Sequence, residues 1–214
     1  MDRCEKASRD TRATTLSLVK VRPSPLSLLR ALLLGLSVGT PALAAPVPAH
    51  PVRASLAVGH VHQTYNNCGP ASIVSVLSYY GIRADQSQLA QVLRPQGGYM
   101  LAGVIPPFVE RYGLRATRFK NGSLENIRQL TAAGIPVIVL QWMNRVGGIP
   151  HFRVVRGYDD QTGLVWLSDP IYGPNVYVHY PDFERLWTLA GQEFVPVYRP
   201  SQTALVGRIL NVRL

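Results

Sequence analysis

Between residues 60 and 134 the apolar positions recur at helical spacing. In CGPASIVSVLSYYG, which starts at Cys68, apolar side chains fall at 73, 74, 76, 77 and 80, the pattern of a helix with a buried face. Pro70 suits its first turn and Gly81 its C-terminal cap, so a buried helix is predicted there. ADQSQLAQVL offers Asp85 as an N-cap with Gln88 three residues on, a capping-box order that opens a second helix. A third is expected over LAGVIPPFVERYG, started or broken at Pro106-Pro107 and stopped at Gly113, and a fourth from Ser123 to Gly134.

After Gly134 the pattern changes to strands. IPVIVLQW, HFRVVRGY, LVWLSDP and NVYVHY are β-branched or aromatic runs divided by Gly, Pro, Asn and Asp, as strands are. PDFERLWTLAG reads as a short helix among them, and the strand pattern resumes in EFVPVYRP and ALVGRILNVRL. Helices first and strands second predict an α+β fold, with an antiparallel sheet packed on a helical half.

Composition supports a packed core: 47% of the 214 residues are hydrophobic and 16% charged, too apolar for a disordered chain. The formal charge is +10, but residues 1–44 carry seven Lys/Arg against three Asp/Glu and the rest fifteen against nine. Those fifteen are spread singly, without a basic run or an aromatic stripe, which argues against a nucleic-acid partner. The first 44 residues read as an export signal. Lys20, Arg22 and Arg30 precede the apolar run ALLLGLSVG, and Ala42-x-Ala44 suits cleavage before Ala45. A run of about nine residues is far short of the ~20 that a spanning helix needs, so no stable membrane anchor is expected after cleavage. The long stretch before Lys20 suggests a translation start near Val19 or Val21. Residues 45–59, rich in Pro and Ala, read as a flexible lead-in, and residues 60–214 as the folded domain of a secreted or periplasmic protein.

An exported chain of this kind would hold one cysteine, Cys68, in YNNCGP. Three roles are open to it: an inert buried side chain, half of an intermolecular disulfide, or a nucleophile. In an oxidising compartment an idle thiol is a liability, and at a helix start the free N–H groups and the helix dipole stabilise a thiolate. A nucleophile needs a base. Of the five histidines, His50 falls in the lead-in and His151 opens the strand HFRVVRGY after the loop NRVGGIP; the next strand ends at Asp169. If Tyr158 pairs with Leu164 across the DDQTG turn, Arg153 lies opposite Asp169 and His151 is its diagonal neighbour, roughly 7–8 Å away along the backbone. A slip of one residue would send the two to opposite faces. The plainer readings are a strand-end histidine packed on the core and an Asp-Pro turn former. His60-x-His62 lacks further ligands at metal-binding spacing. Gln63 could donate to an oxyanion or cap a turn.

Taken in order, QTYNNCGPAS with its buried helix, PHFRVVRGYDD, VWLSDP and FERLW resemble the papain-like cysteine peptidases related to bacteriocin leader-processing (double-glycine) peptidases, from about residue 60 to 200. The resemblance implies Cys68 as nucleophile, His151 as general base and acid, Asp169 as the residue orienting the imidazole, and Gln63 as an oxyanion donor beside the Cys68 backbone N–H. It implies a peptide or protein substrate and no cofactor or metal. A non-catalytic papain-fold binding module and an amidase acting on cell-wall peptides stand as alternatives.

Overall fold

The computed structural model describes residues 50–214. The expected export segment, residues 1–44, and the first part of the lead-in lie outside the described residues. The helical half holds α1 (Cys68–Tyr79), α2 (Gln86–Leu93) and α3 (Ile105–Val109), with α3 flanked on both sides by 3-10 turns. The expected third helix is therefore three short pieces, because Pro106 and Pro107 withhold the N–H groups that a continuous helix would need there. Gly113 ends it in the left-handed conformation (φ 72°). α1 is buried from Cys68 to Leu77, so the helix carrying the thiol is locked by packing on several sides. α2 starts at its predicted N-cap, where the Asp85 carboxylate accepts from the Ser87 and Gln88 N–H groups, but Gln88 makes no return bond to complete a capping box. α4 (Leu124–Ala132) opens with a reciprocal cap between Ser123 and Asn126.

The strands are β1 (Arg53–Ser55), β2 (Arg115–Ala116), β3 (Val137–Trp142), β4 (Pro150–Asp159), β5 (Leu164–Asp169), β6 (Gly173–His179) and β7 (Phe194–Tyr198), with α5 (Tyr180–Leu186) between the last two. They form one antiparallel sheet in the order β2-β7-β3-β4-β5-β6, and β1 also pairs with β4. Alternation along the strands divides the core. Ile138, Phe152, Val154 and Val197 pack with α1, α2 and α3, while Val137, Val139, Val155 and Leu167 pack with Phe183, Trp187 and Val206. Full burial of each such side chain contributes about 1.5–3 kcal/mol.

Two expectations are corrected. ALVGRILNVRL forms no strand; Thr203–Leu210 is a helix, α6. β7 already has β2 and β3 on its two edges, and Val206, Ile209 and Leu210 pack at helical spacing on the second core cluster. The lead-in is also tied down from residue 50 onward. β3 stops opposite Val155, leaving the edge of β4 open beyond it, and β1 fills that edge by pairing Arg53–Ser55 with Asp159–Gly157. Just before it, His50 is 8% exposed and bonds Glu125 and the Tyr158 hydroxyl.

Candidate active site

Cys68 is the first residue of α1, and the loop before it is held by Asn67. The Asn67 side chain donates to Thr64 Oγ1 (2.6 Å) and accepts from Arg94 Nε (2.8 Å), so the residue acts on the loop and leaves the helix uncapped. Gly69 lies against Met100, whose Cε would be 2.4 Å from an added Cβ. This close approach seats the Cys68 turn against the 98–101 segment.

His151 and Asp169 reach each other from adjacent strands. The hairpin pairs Tyr158 with Val165, one residue away from the expected register, but a bulge between Val155 and Gly157 restores it, so that Val155 faces Leu167 and Val154 faces Ser168. An extra residue on one strand is what a bulge supplies. His151 Nε2 then lies 2.9 Å from Asp169 Oδ1. Asp169 is also a turn former, since the same Oδ1 accepts the N–H groups of Ile171 (2.8 Å) and Tyr172 (3.1 Å). Its other oxygen, Oδ2, takes Arg153 Nε at 2.6 Å.

His151 links the ionisation of Cys68 to that of Asp169. Burial alone would push the Cys68 thiol up, but the hydrogen bond and charge of His151 and the N–H groups of Phe152 and Gly69 bring it below its ordinary value. Burial would likewise lower the imidazole, yet Asp169 and Cys68 together raise it. The Asp169 carboxyl, 0% exposed, is held far below the usual range despite burial, by His151 and Arg153. With Nε2–H given to Asp169, the free lone pair of a neutral imidazole is on Nδ1, the nitrogen left for the thiol. The arrangement can make a thiolate near neutral pH and return its proton to a leaving group.

Gln63 sits where its backbone N–H donates to the Pro170 carbonyl (2.9 Å), beside Asp169, and its side-chain Oε1 is buried without a partner. His60 lies nearby, bonded through Nδ1 to Ser168 Oγ (3.0 Å), with its ring edge-on to His62 at 4.5 Å. Among the described residues no group of three or more His, Cys, Asp or Glu converges as a metal site. Arg153 is the functional candidate whose role the sequence left unread: the strand register placed it opposite Asp169, but a buried arginine inside HFRVVRGY carries no motif of its own. A surface cleft of about 760 Å³ lies against α6 and the C-terminal tail, bordered by Ala204, Gly207 and Leu214 and not by the site residues. Chemistry, not cavity size, marks this site.

A buried helix presenting Cys68 to a His-Asp pair on an antiparallel sheet defines the papain-like fold of C39 peptidase domains. The Peptidase_C39 like family matches residues 55–195, and the chain belongs to that family. Among solved structures it is similar to a C39-like protein from Bacillus anthracis (20% identity, TM-score 0.57, covering 69% of this chain and 98% of that one). It is also similar to a double glycine motif protease from an AMS/PCAT transporter, solved in complex with its leader peptide (21%, 0.55, 68% and 94%). A third is the peptidase domain of Streptococcus ComA, a bifunctional ABC transporter of a quorum-sensing pathway (17%, 0.53, 65% and 97%). No curated protein matches the chain. Family and fold together support a peptidase function.

Proposed function

We propose that this chain is an exported cysteine peptidase that hydrolyses peptide bonds through a Cys68–His151–Asp169 triad. The observation that carries the reading is the coupled cluster: a helix-start thiol whose pKa is lowered, facing an imidazole whose second nitrogen is fixed 2.9 Å from a buried carboxylate. His151 Nδ1 takes the thiol proton, and the thiolate adds to the peptide carbonyl. The oxyanion is met by the Cys68 backbone N–H, one of the helix-start donors without an intrahelical acceptor, and by the Gln63 amide. The buried, unpartnered Gln63 side-chain oxygen supports that role, because reversing the amide puts an N–H donor in the same place. His151 then protonates the leaving amine, and water, deprotonated by the same imidazole, cleaves the thioester. The leader peptide bound to the AMS/PCAT protease supports a peptide as the substrate class here.

Iodoacetamide should label Cys68 rapidly at neutral pH in the folded protein, and His151→Ala should slow labelling severalfold. Cys68→Ala should lower peptide turnover by about 10³ or more, and Gln63→Ala by about 10²–10³. Equal labelling of wild type and His151→Ala would sink the triad. Labelling without turnover on any peptide would favour a binding module, and release of fragments from peptidoglycan would favour an amidase. Export is proposed on the 1–44 pattern, and N-terminal sequencing of the processed protein should find Ala45 first.

A further inference from the structure

The geometry points to Arg153 as a positioning residue for the triad: by occupying one oxygen of Asp169 it fixes the other on His151 and keeps the buried cluster electrically neutral while the proton moves. This rests on the triad reading above and adds a fourth member that does not touch the reacting atoms.

Arg153 is 4% exposed, and every nitrogen of its guanidinium is hydrogen-bonded. Nε donates to Asp169 Oδ2 (2.6 Å), one terminal nitrogen to Gln141 Oε1 and the Trp142 carbonyl (both 3.2 Å), and the other to the Met143 carbonyl (2.6 Å). Gln141 is itself anchored through Nε2 to the Phe183 carbonyl (3.0 Å). The fork is therefore held at the end of β3, and it holds Asp169 in turn. Oδ1 of that carboxylate already serves His151, Ile171 and Tyr172. Without Arg153, Oδ2 would be a buried charged oxygen without its hydrogen-bond donor, and the carboxylate would be free to turn away from His151 or to take up a proton.

Charge balance in the buried cluster also depends on Arg153. Before proton transfer the cluster holds Asp169⁻ and Arg153⁺; afterwards it holds Cys68⁻, His151⁺, Asp169⁻ and Arg153⁺. The sum is zero in both states. Without the arginine it would be −1 in both, in a buried site where an uncompensated charge is costly. Arg153 also opposes over-stabilisation of the imidazolium, since its charge acts to lower the His151 pKa. The groups facing His151 are Cys68 from α1, Asp169 from β5 and Arg153 from its own strand; His60, with His62 beyond it, faces Asp169 from the segment before α1.

The test follows alkylation of Cys68 by iodoacetate against pH in wild type, Arg153→Met and Arg153→Lys, alongside kcat and KM on a peptide. Iodoacetate is an anion and so reads the imidazolium as well as the thiolate, giving a rate that falls when His151 loses its proton. In Arg153→Met the alkaline limb should be displaced by about half a pH unit or more, upward where only the opposing charge is lost and downward where Asp169 also leaves His151, and kcat should fall about tenfold or more with KM within about twofold. Arg153→Lys keeps the charge and loses the fork, so its limb should stay close to wild type while kcat falls by a smaller factor. An Arg153→Met profile and kcat that superimpose on wild type overturn the inference. If Arg153→Met does not fold, Arg153→Lys decides: unchanged kcat, or a displaced limb, overturns it. A wild type without His151-dependent alkylation instead removes the triad itself, and the positioning role falls with it.

Discussion

Asp169 meets two demands with one oxygen. An Asp-Pro pair in a sequence reads most simply as a turn, and here the turn is real, with Oδ1 accepting from Ile171 and Tyr172. The same oxygen takes the His151 ring, so the turn and the histidine contact share one acceptor. Its charge should show in two ways. Asp169→Asn removes the carboxylate that helps raise the imidazole, so Cys68 alkylation at neutral pH should fall severalfold. The second consequence is acid stability. The folded-state pKa of Asp169 is depressed, so its contribution is present above the ordinary carboxylate value, about 4, and is lost as pH falls toward the lower folded value. Wild type should lose urea resistance below about pH 4, and Asp169→Asn should show a flatter profile there. The positions of Cys68 and His151 were legible because helix start and strand start are local signals. The role proposed for Arg153 was not, since a buried guanidinium acquires its function only from partners 10 to 16 residues away.

At the scale of elements, the sequence carries the caps and loses the register. Asp85 and Ser123 stand at the starts of their helices, where the sequence places them, because capping is settled within three residues. The β4–β5 hairpin is offset by one residue at its turn and is corrected at the bulge before Gly157. No periodicity announces a bulge; the sign of this one is a glycine inside a strand. The reason is steric. A Cβ on Gly157 would come within 2.6 Å of the Trp166 ring and 2.8 Å of the Ala54 carbonyl oxygen, so β1 on one side and Trp166 on the other both press on this position. Gly157→Ala should destabilise the fold by about 1–3 kcal/mol, read as a lower urea midpoint. Since the bulge also sets the His151–Asp169 register, alkylation of Cys68 should slow with it. ALVGRILNVRL departs from its predicted strand for a related reason. Its residues favour strand and helix about equally, and the choice fell to a sheet edge that β2 and β3 had already taken.

Across the whole molecule, the segment from His50 to Gln63 is a strap that links a distant polar network to the site. At its far end His50 bonds Glu125 Oε2 (3.2 Å) and the Tyr158 hydroxyl (3.0 Å), while Arg128 joins Glu125 to Asp160, which also accepts from Tyr180. Its middle is β1. At its near end Ser168 Oγ meets His60 Nδ1, and the Pro170 carbonyl accepts from Gln63 N–H, five residues before Cys68. Composition suggested a loose lead-in because Pro and Ala set no periodicity; what orders it is a vacant edge of β4 and a buried partner for His50, neither of which is local. The two ends are fixed independently, so loosening one should leave the other in place. His50→Ala leaves Glu125 still paired with Arg128 and should cost about 1–2 kcal/mol, the worth of one or two hydrogen bonds with partly buried partners. Cys68 alkylation should stay within about twofold of wild type, since the strap remains held at Ser168 and Pro170. A His50→Ala protein of normal stability would mean that the far network carries no weight. One whose thiol reactivity collapsed while its urea midpoint held would mean that the strap transmits position to Cys68 along its whole length.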